Sequence, residues 1–354
     1  MAQTTEGRVA YADLLRVAAT LAVIVLHCCA TWLQGSPVGS TYWNILNVFD
    51  SMVRWCVPVF VMLSGMFLLD PKKSVSLSSL FFNHILRIVV ALVFWGTAYA
   101  FYDNWQGFNS ISLPWVLSVL KSVLLGNTHY HLWFLYMIIG LYLLTPILRA
   151  FIKGASRRDL HYFLIFAFLA ASLIPTLLDL RPSATLSLYY ARLGLHFLAG
   201  YAGLYVAGYY LKTYTLGRIT EFVIYLLGIA GTVVTICGTL VLSKQDGALS
   251  SIFYEYLSPN VVFMSVAVFV LFRYVLGVSE ERSRRQRLGG VAKITFGIYL
   301  VHDFFLILLR HFGLLQPALT PLIAIPLMVC AVFLCSFLVV WPISKIPFVG
   351  KYLT

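Results

Sequence analysis

The chain has 354 residues, 60% of them hydrophobic and only 11% charged, with 25 Lys and Arg against 13 Asp and Glu. So low a charged fraction, with long apolar runs between short polar loops, excludes a soluble globular domain and a disordered chain. It predicts an all-α polytopic integral membrane protein, one transmembrane domain over 1–354, since about 20 apolar residues at about 1.5 Å each cross ~30 Å of hydrocarbon.

About ten spans are expected, near 12–33, 44–69, 84–102, 131–152, 160–180, 191–211, 221–242, 258–277, 293–312 and 317–341, with an interfacial or re-entrant helix around 115–125. If the N-terminus is cytoplasmic, one side receives Arg8, Lys72, Lys73, Arg149, Lys153, Arg157, Arg158, Lys212 and Arg218. It also receives Arg282, Arg284, Arg285, Arg287, Lys293, Lys345 and Lys351, while the other side keeps little beyond Lys121, Arg181 and Lys244. Both termini are therefore expected to be cytoplasmic. Topology and contact with anionic membrane lipids account for the formal charge of +12 without nucleic acid. The first span follows acidic residues, is interrupted by charge and lacks a small-x-small site, so it does not read as a cleaved signal peptide. The six cysteines fall inside expected spans without C-x-x-C spacing. They suggest core residues rather than a metal cluster or a disulfide framework.

In the first span Asp13, Arg16 and His27 fall on one helical stripe. Asp13 and Arg16 are spaced to pair at i,i+3 near the cytoplasmic end, and His27 lies about 16 Å further along. An ionisable group at that depth is expensive and marks a functional path. A buried ion pair and a histidine bonded to a neighbouring helix are the structural alternative. In the second span Asp50 and Arg54 can neutralise each other across one turn. Pro58 opens the helix ladder, and Ser64–Gly65 permits close helix contact, so the segment reads as part of a polar cavity.

The third span opens on His84 and Arg87, two donors on one face that suit an anion such as phosphate or a lipid headgroup. Before the fourth span His129 and His131 are two residues apart, so on a helix they face different ways and no metal pair is expected. His131 and Trp133 are placed at the outer interface, where an aromatic and a histidine suit a sugar. Span nine puts Tyr299, His302 and Asp303 inside the membrane; His302 and Asp303 are adjacent and each needs a partner from another span.

Four segments together resemble the membrane-bound acyltransferase type 3 family: DLLR with His27, RWCVPVFVMLSG at 54–65, HLWFL at 131–135 and FGIYLVH at 296–302. The chain is most similar to the stand-alone bacterial branch that includes the enterobacterial common antigen O-acetyltransferase. The resemblance implies transfer of an acyl group, usually acetyl, from cytoplasmic acetyl-CoA to a hydroxyl of a surface glycan or undecaprenyl-linked saccharide, at a bacterial inner membrane and without a metal. His27 matches the family's first-helix histidine and Arg16 the basic residue before it. Where the family carries R-x-x-R, this chain has His84 and Arg87, so the donor-binding role carries over to Arg87 directly and to His84 only if a histidine serves.

On that reading CoA phosphates dock against Arg87, Arg16 and His84. His27 acts as general base or as a transient acyl acceptor, with Asp13 holding Arg16. Arg54, Ser64, His131, Trp133, Tyr299 and His302 line the cavity or meet the acceptor. Cys28 points about 100° away from His27 and is disfavoured as an acyl carrier. The rival is a transporter or flippase for a lipid-linked glycan, which also accommodates intramembrane charge but needs no acetyl-CoA.

Overall fold

The computed structural model describes residues 9–103, 112–194, 200–276, 288–312 and 320–354, and no strand occurs among them. Nine described helices are long and apolar enough to cross a membrane. The first four elements are α1 (Ala10–Gly35), α2 (Thr41–Leu68), α3 (Leu77–Asp103) and the short α4 (Leu113–Leu124). Next come α5 (Tyr130–Gly154) and α6 (Arg157–Leu180), followed by the short α7 (Ala184–Leu193) and α8 (Ala202–Thr213). The last are α9 (Arg218–Asp246), α10 (Ile252–Tyr274), α11 (Gly289–His311), α12 (Pro321–Ile343) and α13 (Val349–Leu353).

Local chemistry sets the ends and breaks. Ser40, Ser112 and Ser183 accept backbone N–H groups at the starts of α2, α4 and α7, and Ser156 with Asp159 forms a reciprocal capping box at α6. Gly247 closes α9 in the left-handed region at φ 68°, where a Cβ would be strained. Pro58 cannot donate to the carbonyl four residues back, and α2 breaks at Arg54–Trp55 before resuming at Cys56. π-turns interrupt α3 at Leu80–Ile85 and α6 at Leu169–Leu173.

The buried centre is α1, which packs on α2, α10, α11 and α12. The second half of α2 packs on α8 backbone to backbone. A Cβ on Gly65 would stand 1.8 Å from the Tyr205 carbonyl oxygen, and one on Gly208 1.8 Å from that of Met62. Without a hydrophobic force between helices in lipid, such small-residue contacts are a main source of association. The expectation for Gly65 is met; Ser64 faces a cavity and donates to the Phe60 carbonyl at 3.0 Å. Cys28, Cys29 and Cys56 are buried, whereas Cys237, Cys330 and Cys335 are exposed. Half the cysteines therefore belong to the outer surface, because helices that cover the bundle are apolar on the outward side too. The stretch expected to be interfacial or re-entrant is α4, with Val119 and Val123 inward and Leu117 and Leu124 outward.

One face of the bundle is basic. There Lys212 pairs with Asp70 at 2.8 Å, and Arg149 donates to the carbonyls of Leu68 and Asp70. Arg87 donates to the carbonyl of Thr354 and lines the same cavity as Arg16. The start of α1 and the end of the described chain thus share a face. α6 leaves that face at Arg157, whose Nε donates to Tyr210 of α8, and the chain is back there by Lys212. The expected tenth span, 191–211, is not among the nine long described helices: its described part is the end of α7 and the short α8, and residues 195–199 lie outside the described residues, as do Arg8, Arg282, Arg284, Arg285 and Arg287.

Candidate active site

α5 does not begin as an α-helix. His129 is extended (φ −54°, ψ 137°), and Tyr130–Leu132 forms a 3-10 turn. On a continuous α-helix two residues apart would face ~200° apart. The entry turn instead brings the rings of His129 and His131 to 5.3 Å, which corrects the expectation that they diverge. His131 is also buried, at 2% exposure, rather than open at a cavity mouth. Trp133 is the exposed one, stacked on Tyr256 at 5.7 Å and beside Tyr201 at 6.1 Å.

His27 of α1 and His302 of α11 complete the cluster. Their rings are 5.2 Å apart, and His131 lies 5.3 Å from His302 and 6.3 Å from His27. Nδ1 of His27, Nε2 of His302 and both ring nitrogens of His131 are buried with no hydrogen-bond partner. Buried polar groups are normally satisfied, so four orphaned nitrogens on three adjacent rings mark a place for a polar ligand. Nδ1 of His302 lies 2.6 Å from the Tyr299 carbonyl oxygen. A carbonyl can only accept, so Nδ1 carries the proton and Nε2 presents a lone pair. That partner belongs to the same helix, not to another span.

Asp303 is fully buried and holds the cluster's outer side. It accepts from His129 Nε2 at 2.5 Å and from the Tyr130 hydroxyl at 2.7 Å, with Arg310 at 3.8 Å. Tyr130 then packs edge-on to His27 at 5.2 Å. The other nitrogen of His129 meets Asp103 at 3.1 Å. Burial works against a charge on His129, but the hydrogen bonds and charges of Asp303 and Asp103 outweigh it and hold its pKa above the usual 6.5. Donor atoms of His129, His131 and Asp303 lie within 4.8 Å of one another. Both oxygens of Asp303 and both nitrogens of His129 are, however, already committed to hydrogen bonds.

A cavity of about 370 Å³ runs from the basic face to Tyr299, and none of the clustered histidines lines it. At the basic face it is lined by Arg16, Asn83, His84, Arg87 and Lys293, further in by Ser64 and Tyr142, and nearest the histidines by Phe134 and Tyr299. The Tyr299 hydroxyl donates to the His131 carbonyl, so the cavity ends one side chain from the histidines. Asp13 pairs with Arg16 at 3.7 Å, as the spacing predicts. His84 lies in the π-turn of α3 with its ring 6.1 Å from that of Tyr142. Arg87 lies over Phe296 at 5.4 Å, with its Nε buried and unpartnered. Arg87 and Lys293 also line a second hollow of about 710 Å³ with Trp341, Lys345, Lys351 and Thr354.

Residues 9–341 match a family model described as an acyltransferase domain. The chain belongs to the acyltransferase type 3 family. No curated protein and no solved structure matches it. It is a multi-pass membrane acyltransferase; Arg16, His84, Arg87, Ser64 and Tyr299 line one cavity, whereas His27, His131 and His302 cluster past Tyr299 and, with Trp133, do not line it as expected. Arg54 is not on it either. Its guanidinium is bonded to Asp50 and lies 3.8 Å over the Tyr254 ring, a closed arrangement that does not line this cavity.

Sequence reasoning left His129, Tyr130 and Lys293 out of the acyltransferase site, and gave Asp303 no role in it. For Asp303 the signal was present: a carboxylate inside span nine must be paired, and the histidine-rich approach to span four was the nearest supply of donors.

Proposed function

We propose that this acyltransferase moves an acetyl group from acetyl-CoA, entering at the basic face, to a hydroxyl of a surface glycan or undecaprenyl-linked saccharide reaching the histidine cluster from the opposite face. The membrane is the bacterial inner membrane, with the basic face cytoplasmic. The observation that carries the reading is the single cavity running from Arg16, His84, Arg87 and Lys293 to Tyr299, beside His131 and His302. Its cationic end suits the donor's phosphates, and Lys345, Lys351 and Trp341 in the adjoining hollow suit charged and aromatic parts of a nucleotide. Its narrow, mainly apolar interior suits a thioester arm.

The acceptor hydroxyl oxygen attacks the thioester carbon, the carbon–sulfur bond breaks, and the hydroxyl proton goes to a neutral imidazole and then to the departing thiolate, which leaves as CoA thiol. His27 is that base, and the Nε2 lone pair of His302 aligns the hydroxyl. Exposed Trp133, stacked with Tyr256, offers an apolar face to a sugar ring. Acetyl is the acyl group that the resemblance of the four sequence segments implies. Family membership gives the transporter alternative no support.

The test is release of labelled acetyl from acetyl-CoA by purified protein, with and without candidate saccharides. Acceptor-dependent transfer that His27→Ala abolishes supports the reading. Transfer unaffected by that change, or no turnover of any acyl-CoA, overturns it.

A further inference from the structure

A second cavity, remote from the histidines, lies between α6, α8, α9 and α10 and measures about 500 Å³. Leu164, Phe168, Leu204, Phe263 and Val266 make its walls apolar, and Arg157 and His161 lie together beside Tyr210. We propose that it binds one acyl chain of an anionic phospholipid from the leaflet at the basic face, with the lipid phosphate on Arg157 and His161.

Three observations carry this. The first is the mouth. Arg157 Nε donates to the Tyr210 hydroxyl at 3.1 Å, His161 Nε2 lies 2.6 Å from that same oxygen, and the guanidinium rests 5.8 Å and 5.2 Å from the rings of Tyr210 and Tyr214. Among the described residues no carboxylate pairs with Arg157, so a guanidinium fixed on an aromatic shelf keeps donors for a phosphate. Anionic headgroups are drawn to such basic surfaces.

The second is the depth. Ser172 lies in the wall fifteen residues after Arg157, about 22 Å along α6, more than half of the ~30 Å hydrocarbon core. Its hydroxyl is buried, 3% exposed, and has no hydrogen-bond partner. It sits in the π-turn at Leu169–Leu173, where the wider turn and Ala170 and Ala171 make room.

The third is the volume. At roughly 30 Å³ for a unit the size of water, the cavity holds on the order of fifteen methylenes. That is room for one fatty acyl chain.

The experiment is native mass spectrometry of the full chain in mild detergent, titrated with palmitoyl-oleoyl phosphatidylglycerol or with the phosphatidylcholine of the same chains. The wild type should retain one phosphatidylglycerol and prefer it at least about tenfold. Arg157→Gln, at an exposed position, should weaken that retention about fivefold, and Ala207→Phe, which fills the cavity, should abolish it. Equal retention of the two lipids, retention unchanged in both variants, or preferential retention of an added polyprenyl phosphate would each overturn the proposal. If Ala207→Phe does not fold, Arg157→Gln and the headgroup comparison still decide.

Discussion

At the level of single residues, the Tyr299 carbonyl decides which nitrogen of His302 carries its proton. A neutral Nε2 lone pair 5.2 Å, ring to ring, from His27 puts a hydrogen-bond acceptor beside the proposed base. His302→Ala should lower kcat by about 10²-fold through misplacement of the hydroxyl while leaving the KM for donor nearly unchanged, since His302 does not line the cationic end. Steady-state kinetics checks this, and a kcat within a few-fold of wild type would remove His302 from the chemistry. His129 gives a pH prediction. Its pKa is raised in the folded protein by Asp303 and Asp103, so its contribution to stability is complete below about pH 6.5 and is lost as pH rises through the raised value. Thermal midpoints measured from pH 6 to 9 should therefore fall in the wild type, and that component should be missing in His129→Gln. Identical pH profiles would contradict a charged His129.

At the level of elements, the close approach of α2 and α8 rests on two glycines. Gly208→Ala should destabilise by ~1–3 kcal/mol through overpacking, read as a lowered thermal midpoint. Gly140→Ala in α5, where a Cβ meets nothing within 4 Å, should be neutral or slightly stabilising; equal effects would contradict the backbone contact. These elements also show what was legible beforehand. Nine of the ten expected spans are described helices long and apolar enough to cross, and the α2 break follows from Pro58, because hydrocarbon thickness and a missing N–H act locally. The 3-10 entry to α5 was not legible. Helical periodicity places His129 and His131 on different faces, and the Asp303–His129 bond that turns them together joins residues 174 apart in sequence. The fate of Arg54 was half legible: the i,i+4 pair with Asp50 is local, but the Tyr254 ring that closes it comes from α10.

Across the whole molecule, the proposed function rests on one cavity from a cationic entrance to Tyr299, next to a buried set of histidines, with donor and acceptor approaching from opposite faces. Arg87→Gln should raise the KM for acetyl-CoA about tenfold or more and leave that for acceptor nearly unchanged, as a charge-assisted contact to phosphate requires. Kinetics with each substrate varied in turn checks this, and equal effects on both would move the donor elsewhere. The cationic end was legible because Arg16, His84 and Arg87 stand near the ends of their spans. Lys293 was read only as a topological charge, because its place in the cavity depends on how α11 packs against α1.

The central claim is that His27 carries out acyl transfer past the inner end of this cavity. Its most direct test is transfer of labelled acetyl from acetyl-CoA to a saccharide acceptor by purified protein reconstituted in bilayers, wild type against His27→Ala, with folding of both verified by thermal midpoint. The account predicts acceptor-dependent transfer by the wild type and none above background by a folded His27→Ala. Comparable transfer by the two would contradict it.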